Sequence, residues 1–240
     1  MFIMSYDFFL FTPERTDSGE VAVGPRDLAH NLKLLRRYFA ETVNSTPELD
    51  TVAAQISNDI EQLAARREAI LIESASVAGD RIICVPVTYS SRDAARSYLI
   101  QIALTHGLGL ADASDNFVLL YGDEDPRYHV HAAEWSIPAL SRAALEYNFD
   151  YIVDNEAVNP YFILTDATDD ETFIQTCVED IDEVSNNHDE VSWRLEYRAG
   201  SADDHYGTFV TGGAKVAEMM RYWLDNAPEF AQLDWEKMEF

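Results

Sequence analysis

The sequence predicts an α+β protein made of two sandwich-like halves, each a mixed or antiparallel sheet with helices packed on one face. Three observations predict it. Segments with helical and strand hydrophobic periods alternate along the 240 residues, and periods of 3.6 and 2 tell the two apart. The turn-rich, charged run Gly122-Asp123-Glu124-Asp125-Pro126 interrupts the pattern near its middle. Hydrophobic content of 47% and charged content of 25% are those of folded domains, and the length suffices for two cores. The expected domains are residues 1–125, with element order βααββαββ, and residues 126–240, an acidic α+β domain.

In the first half, aromatic-rich Phe2 to Phe11 reads as a strand. Leu28, Leu32, Leu35 and Phe39 then lie at helical spacing. Thr46-Pro47 is an N-cap followed by proline at the first helical position, opening a helix that aligns Val52, Ile56, Ile60 and Leu63. Strands are expected over Ala69–Ser76 and Arg81–Tyr89, joined by Ala78-Gly79-Asp80. Pro86 places the second of them at an edge or a bulge. Ser90 or Ser91 caps a third helix with Ala95, Leu99 and Ile102 inward, and Gly107 stops it in the left-handed conformation. Gly109–Ala111 and Phe117–Tyr121 close this half as short strands.

In the second half a helix is expected over Pro138–Tyr147, and strands over Tyr151–Val153, Tyr161–Thr165, Thr172–Val178 and Tyr206–Val210. Val191–Arg198 has the clearest two-residue period, with Val191, Trp193, Leu195 and Tyr197 on one face and Ser192, Arg194, Glu196 and Arg198 on the other. Glu179–Glu190 reads as a solvated acidic loop. Thr211-Gly212-Gly213 starts a last helix with Val216, Met219, Met220 and Trp223 inward, ended by Asn226 and Pro228.

Charge sets the expected partner. There are 43 acids and 17 bases, a net of −26. Residues 1–120 hold 16 acids and 10 bases, a net of −6, whereas residues 121–240 hold 27 and 7, a net of −20. A field of that sign repels nucleic acid and anionic membrane and steers a basic partner inward. Coding bias or a salty cytoplasm accounts for the total as readily, and for the asymmetry less well. Two cysteines, Cys84 and Cys177, make no disulfide framework and fit a reduced, cytoplasmic setting. The apolar start lacks a basic leader region and carries Asp7, so it reads as a strand and not as a signal peptide.

Catalytic motifs are not found in the sequence. It holds no G-x-S-x-G elbow and no G-x-x-x-x-G-K-[ST] phosphate cradle. His129 and His131 could project from one strand face, but two imidazoles are half of a metal site. Glu196 between Arg194 and Arg198 reads as a cross-strand charge cluster, and nothing near Cys84 lowers its pKa. No catalytic residue, metal or cofactor is therefore expected. The expected partner-binding residues are Asp203, Asp204, His205 and Tyr206, with Asp180, Asp182, Glu183, Asp189 and Glu190 of the acidic loop, and Trp235 as an aromatic anchor.

Two resemblances add to this. Met4-Ser5-Tyr6-Asp7-Phe8, the strand Val85-Pro86-Val87-Thr88-Tyr89 and His106-Gly107-Leu108-Gly109-Leu110-Ala111-Asp112 resemble a widespread, largely uncharacterised bacterial domain group that opens M-S-Y-D-[LF], which implies initiation at Met4 and supplies no catalytic residue to carry over. Phe173-Ile174-Gln175, Leu195-Glu196-Tyr197-Arg198-Ala199-Gly200, Asp204-His205-Tyr206, the helix Val216 to Trp223 and Asp234-Trp235-Glu236 are similar, in that order, to immunity proteins of bacterial polymorphic toxin systems, although the Glu179–Glu190 insert departs from that pattern. The second resemblance implies a non-enzymatic inhibitor that docks on a basic toxin domain. The alternatives are a structural or regulatory module that self-associates through a sheet edge such as Arg81–Tyr89, and a metal-dependent hydrolase using His129 and His131.

Overall fold

The computed structural model describes residues 5–26, 44–65, 71–132, 135–154, 161–179 and 190–238. The helix expected over Leu28–Phe39 lies outside them. The chain is α+β: it forms two antiparallel sheets with helices against them and divides into two compact units, Met1–Glu124 and Asp125–Phe240.

The first unit holds strands β1 (Tyr6–Phe11), β2 (Ser76–Ala78), β3 (Ile82–Val87), β4 (Gly109–Asp112) and β5 (Phe117–Leu120), in the sheet order β2-β3-β1-β4-β5. Its described helices are α1 (Pro47–Ala65) and α2 (Arg92–His106). Thr46 caps α1 as expected, its Oγ1 accepting from the Leu49 N–H at 3.3 Å. Ile56 and Ile60 on α1 and Leu99 and Ala103 on α2 are buried together with Phe8, Leu10, Ile83 and Val85 of the sheet. Gly107 ends α2 with φ +62°, where a side chain would be strained. Ser91 holds the cap position of α2 without a cap hydrogen bond, because its hydroxyl lies 2.8 Å from that of Thr88.

Two expectations shift here. The strand before the Gly79 turn is Ser76–Ala78, not Ala69–Ser76. Nor is β3 at the edge: Ser76–Ala78 pair with Ile82 to Cys84, and the Ile72 N–H donates to the Pro86 carbonyl at 2.9 Å. Pro86 is tolerated because its missing N–H would point to the side where β2 has already ended. Arg81–Tyr89 is therefore not an open edge for self-association.

The second unit is a seven-stranded sheet of order β12-β11-β10-β9-β8-β6-β7. Its strands are β6 (Tyr128–Ala132), β7 (Trp135–Ile137), β8 (Tyr161–Asp166), β9 (Asp169–Val178), β10 (Ser192–Ala199), β11 (His205–Thr211) and β12 (Glu236–Lys237). Helices α3 (Leu145–Asp154) and α4 (Gly213–Leu224) bury Leu145, Phe149, Ile152, Val216 and Met220 against Phe162, Leu164, Ile174, Trp193 and Leu195. The Phe149 ring meets Phe162 at 5.2 Å and Trp193 at 5.4 Å, both edge-on. Tyr151–Val153, expected as a strand, lies inside α3. The i, i+4, i+7 burial of Leu145, Phe149 and Ile152 outweighs the local β-propensity of Tyr-Ile-Val. Pro138 follows β7 and starts no helix.

Candidate interaction surface

The period-two face of β10 behaves as its sequence predicts: Trp193 and Leu195 turn to the helices, and Arg194, Glu196 and Arg198 turn away. On that second face Glu196 is 7% exposed and its carboxylate is fully engaged. Arg194 Nε lies 2.6 Å from Oε1, Gln175 Nε2 donates to Oε2 at 2.7 Å, and His205 Nε2 lies 3.2 Å from the same oxygen. Arg198 pairs instead with Glu171 at 2.8 Å and lies over the Phe173 ring. The expected Arg–Glu–Arg cluster is thus an Arg–Glu–His–Gln network that knits three adjacent strands.

His205 is buried, so of the expected Asp203-Asp204-His205-Tyr206 contact set it supports the sheet and does not face solvent. Tyr206 stacks on Tyr197 at 5.1 Å. Trp235 packs on Tyr197 at 4.6 Å and on Phe230 at 4.9 Å, and its indole N–H donates to the Phe230 carbonyl at 2.9 Å. It pins the C-terminal segment to the sheet.

Asp203 and Asp204 are exposed in the turn between β10 and β11. Register brings a second acidic turn beside them: Ala199 pairs with Thr172, and the Gly200 N–H donates to the Glu171 carbonyl at 3.2 Å. The β8–β9 hairpin tip therefore sets Asp166, Asp169, Asp170 and Glu171 at the same end of the sheet as Asp203 and Asp204. Hydrogen bonds preorganise the tip. Thr168 donates through both Oγ1 and N–H to Asp166 at 2.7 Å, which holds that carboxyl below its usual range. Thr172 donates to Asp169 at 2.7 Å, and Ser201 to Asp204 at 3.1 Å. Arg198 neutralises Glu171 alone.

Glu179 and Glu190 flank the opposite end of β9 and β10, where the Glu179 N–H donates to the Ser192 carbonyl at 3.1 Å. Antiparallel strands of eight or more residues hold their two ends roughly 25 Å apart. The expected contact set is therefore divided between two ends of one sheet, and Asp180, Asp182, Glu183 and Asp189 lie outside the described residues. What the sequence reading missed is the Asp166–Glu171 tip. Its signal was present: Asp-Ala-Thr-Asp between two strand-like runs is an Asx-turn hairpin.

Other reactive side chains are held quietly. Burial, with help from Asp7, pushes the Cys84 thiol up to about 11, and burial raises Cys177 too. His131 Nδ1 lies 2.9 Å from Ser136 Oγ, and burial and then His129 lower its pKa. Among the described residues no three His, Cys, Asp or Glu side chains converge as metal ligands would. Nor is any described helix long and apolar enough to cross a membrane. In the first unit, Tyr6 of the Met4–Asp7 segment and Asp112 of the Gly107–Asp112 segment meet: the phenol donates to the buried carboxylate at 2.8 Å, and Arg96 closes the cluster at 2.5 Å.

No protein-family model, curated protein or solved structure matches the chain.

Proposed function

We propose that this is a non-enzymatic binding protein that docks a basic protein partner through its acidic second half, in the manner of a toxin-neutralising immunity protein. The observation that carries the reading is the pairing of two hairpin turns. They bring Asp166, Asp169, Asp170, Glu171, Asp203 and Asp204 to one end of the sheet, with Arg198 paired to Glu171 and Arg127 beside Asp166. Carboxylates fixed by their own turns give up little side-chain entropy on binding, and a surface of one sign speeds encounter with a partner of the other. The immunity class enters through the ordered C-terminal motifs, and the sign of the charge suits a toxin that must itself hold nucleic acid.

The test is capture of a partner by the intact chain from lysate of its own cells, repeated with a variant carrying Asp169→Asn, Asp170→Asn, Asp203→Asn and Asp204→Asn. A basic protein retained by the native chain, lost by the variant and released as salt rises is the expected result. A partner held equally by both, or with equal strength at high salt, refutes docking through this end.

A further inference from the structure

β11 is the last full strand of the second sheet, and its outer side is only partly covered. β12 pairs with Tyr206 and Gly207 alone, and the Met238 N–H donates to the His205 carbonyl at 2.9 Å. On the inner side, the Asp204 carbonyl accepts from Ala199 at 3.1 Å and the Gly212 N–H donates to Val191 at 2.9 Å. In an antiparallel ladder alternate residues address opposite neighbours. Even-numbered positions from Asp204 to Gly212 therefore bond to β10, and odd-numbered ones face outward. The N–H and C=O of Phe209 and Thr211 point to a side where, among the described residues, no strand pairs with them.

The space beside them is shaped. The pairing of β12 begins at Glu236, just after Trp235 packs on Tyr197 and Phe230. What remains is a cleft of about 620 Å³ whose lining includes Arg194, Phe209, Asp234, Glu236, Lys237 and Met238; Arg194 is already paired with Glu196. Phe209, opposite Arg194 in the ladder, is 64% exposed, the most exposed large hydrophobic side chain among the described residues. Neither Lys nor Pro occurs in Thr208–Thr211, so the usual guards of an open edge are missing.

We infer that the Phe209–Thr211 edge takes an extended segment of the basic partner as an added strand, an inference that rests on the binding reading above. Backbone hydrogen bonds to Phe209 and Thr211 would supply affinity, and side chains of alternate residues the selectivity. The segment has an apolar residue opposite Phe209 and lysine or arginine two positions to either side, on the same face. Those cations reach Asp234 and Glu236 in the cleft and Glu190 past the end of β11 that β12 leaves open. A second copy of this chain fits worse, because each copy carries −26 and would face the same acids.

The probe is a fluorescein-labelled decapeptide of repeating Val-Thr-Lys-Thr units, titrated against the full chain by anisotropy. Two changes should each weaken binding at least tenfold: N-methylation of alternate peptide residues, and Phe209→Pro, which removes an N–H that no ladder bond uses. Thermal melting checks that the proline variant folds. Hydrogen exchange on the unsubstituted protein gives an independent readout: the Phe209 and Thr211 amides should exchange fast when free and at least tenfold slower with peptide, while Thr208 and Val210 stay protected throughout. No binding, unchanged affinity of the methylated peptide, or no protection of Phe209 overturns the inference. Binding that survives those changes yet weakens with salt and with the four-Asn variant sinks the edge and spares the acidic end. The reverse pattern sinks the acidic end and spares the edge. Concentration-dependent self-association abolished by Phe209→Pro would make a second copy the occupant and overturn the inference too.

Discussion

Glu196 illustrates how one side chain acquires a role that its neighbours in sequence do not fix. A carboxylate this buried is stable only if its oxygens are satisfied, and Arg194, Gln175 and His205 from three strands do so. The flanking arginines made a charge cluster legible. Replacement of Arg198 by His205 in that cluster was not, since it depends on which residues the neighbouring strands present. The cysteines are the reverse case, because a quiet thiol follows from an apolar strand. With its pKa pushed up to about 11 by burial, Cys84 holds roughly a hundredfold less thiolate at pH 8 than an ordinary thiol titrating near 9. Its alkylation by iodoacetamide, followed by mass spectrometry of the native protein, should be slow at pH 8 and accelerate about tenfold per pH unit toward 11. Fast, pH-independent labelling would show the thiol to be activated instead.

Elements were read best where period and punctuation agreed. The Thr46-Pro47 start of α1, the Gly107 stop of α2 and the alternation of β10 all appear where the sequence sets them. The strand expected at Tyr151–Val153 was misread because three residues are too few to carry a period, and only the packing of Leu145, Phe149 and Ile152 decides for helix. Gly109 shows a constraint that acts between elements. It opposes Phe11 across β1 and β4, and a β-carbon there would lie 2.1 Å from the Phe11 ring. Phe11 is 6% exposed and has little room to swing away. Gly109→Ala should destabilise the protein by about 1–3 kcal/mol, seen as a lower urea midpoint at unchanged slope. No shift in the midpoint would mean that the ring repacks freely.

For the whole molecule the dominant quantity is charge. At −26, self-repulsion opposes compaction, and the repulsion is concentrated in the second half. Raising salt from 0.01 to 1 M shortens the screening length from about 30 to 3 Å. The melting midpoint should rise with it, by about 2–4 °C for each kcal/mol of repulsion relieved. A flat or falling midpoint would mean that ion pairs such as Arg96–Asp112 and Arg198–Glu171 contribute more than repulsion costs.

The sequence by itself determined the α+β class, the start of α1, the stop of α2, the face that β10 turns to the core and the net charge. Each of these depends on residues within a few positions of one another or on a sum over all of them, and neither needs the fold. Tertiary structure alone decided which acids stand together. Antiparallel register sets Asp169 to Glu171 beside Asp203 and Asp204 and sends Glu179 and Glu190 to the far end of the same strands. Among the described residues it also pairs β3 on both sides and leaves Phe209–Thr211 unpaired on one, because strand order is a property of long-range pairing that no local pattern encodes.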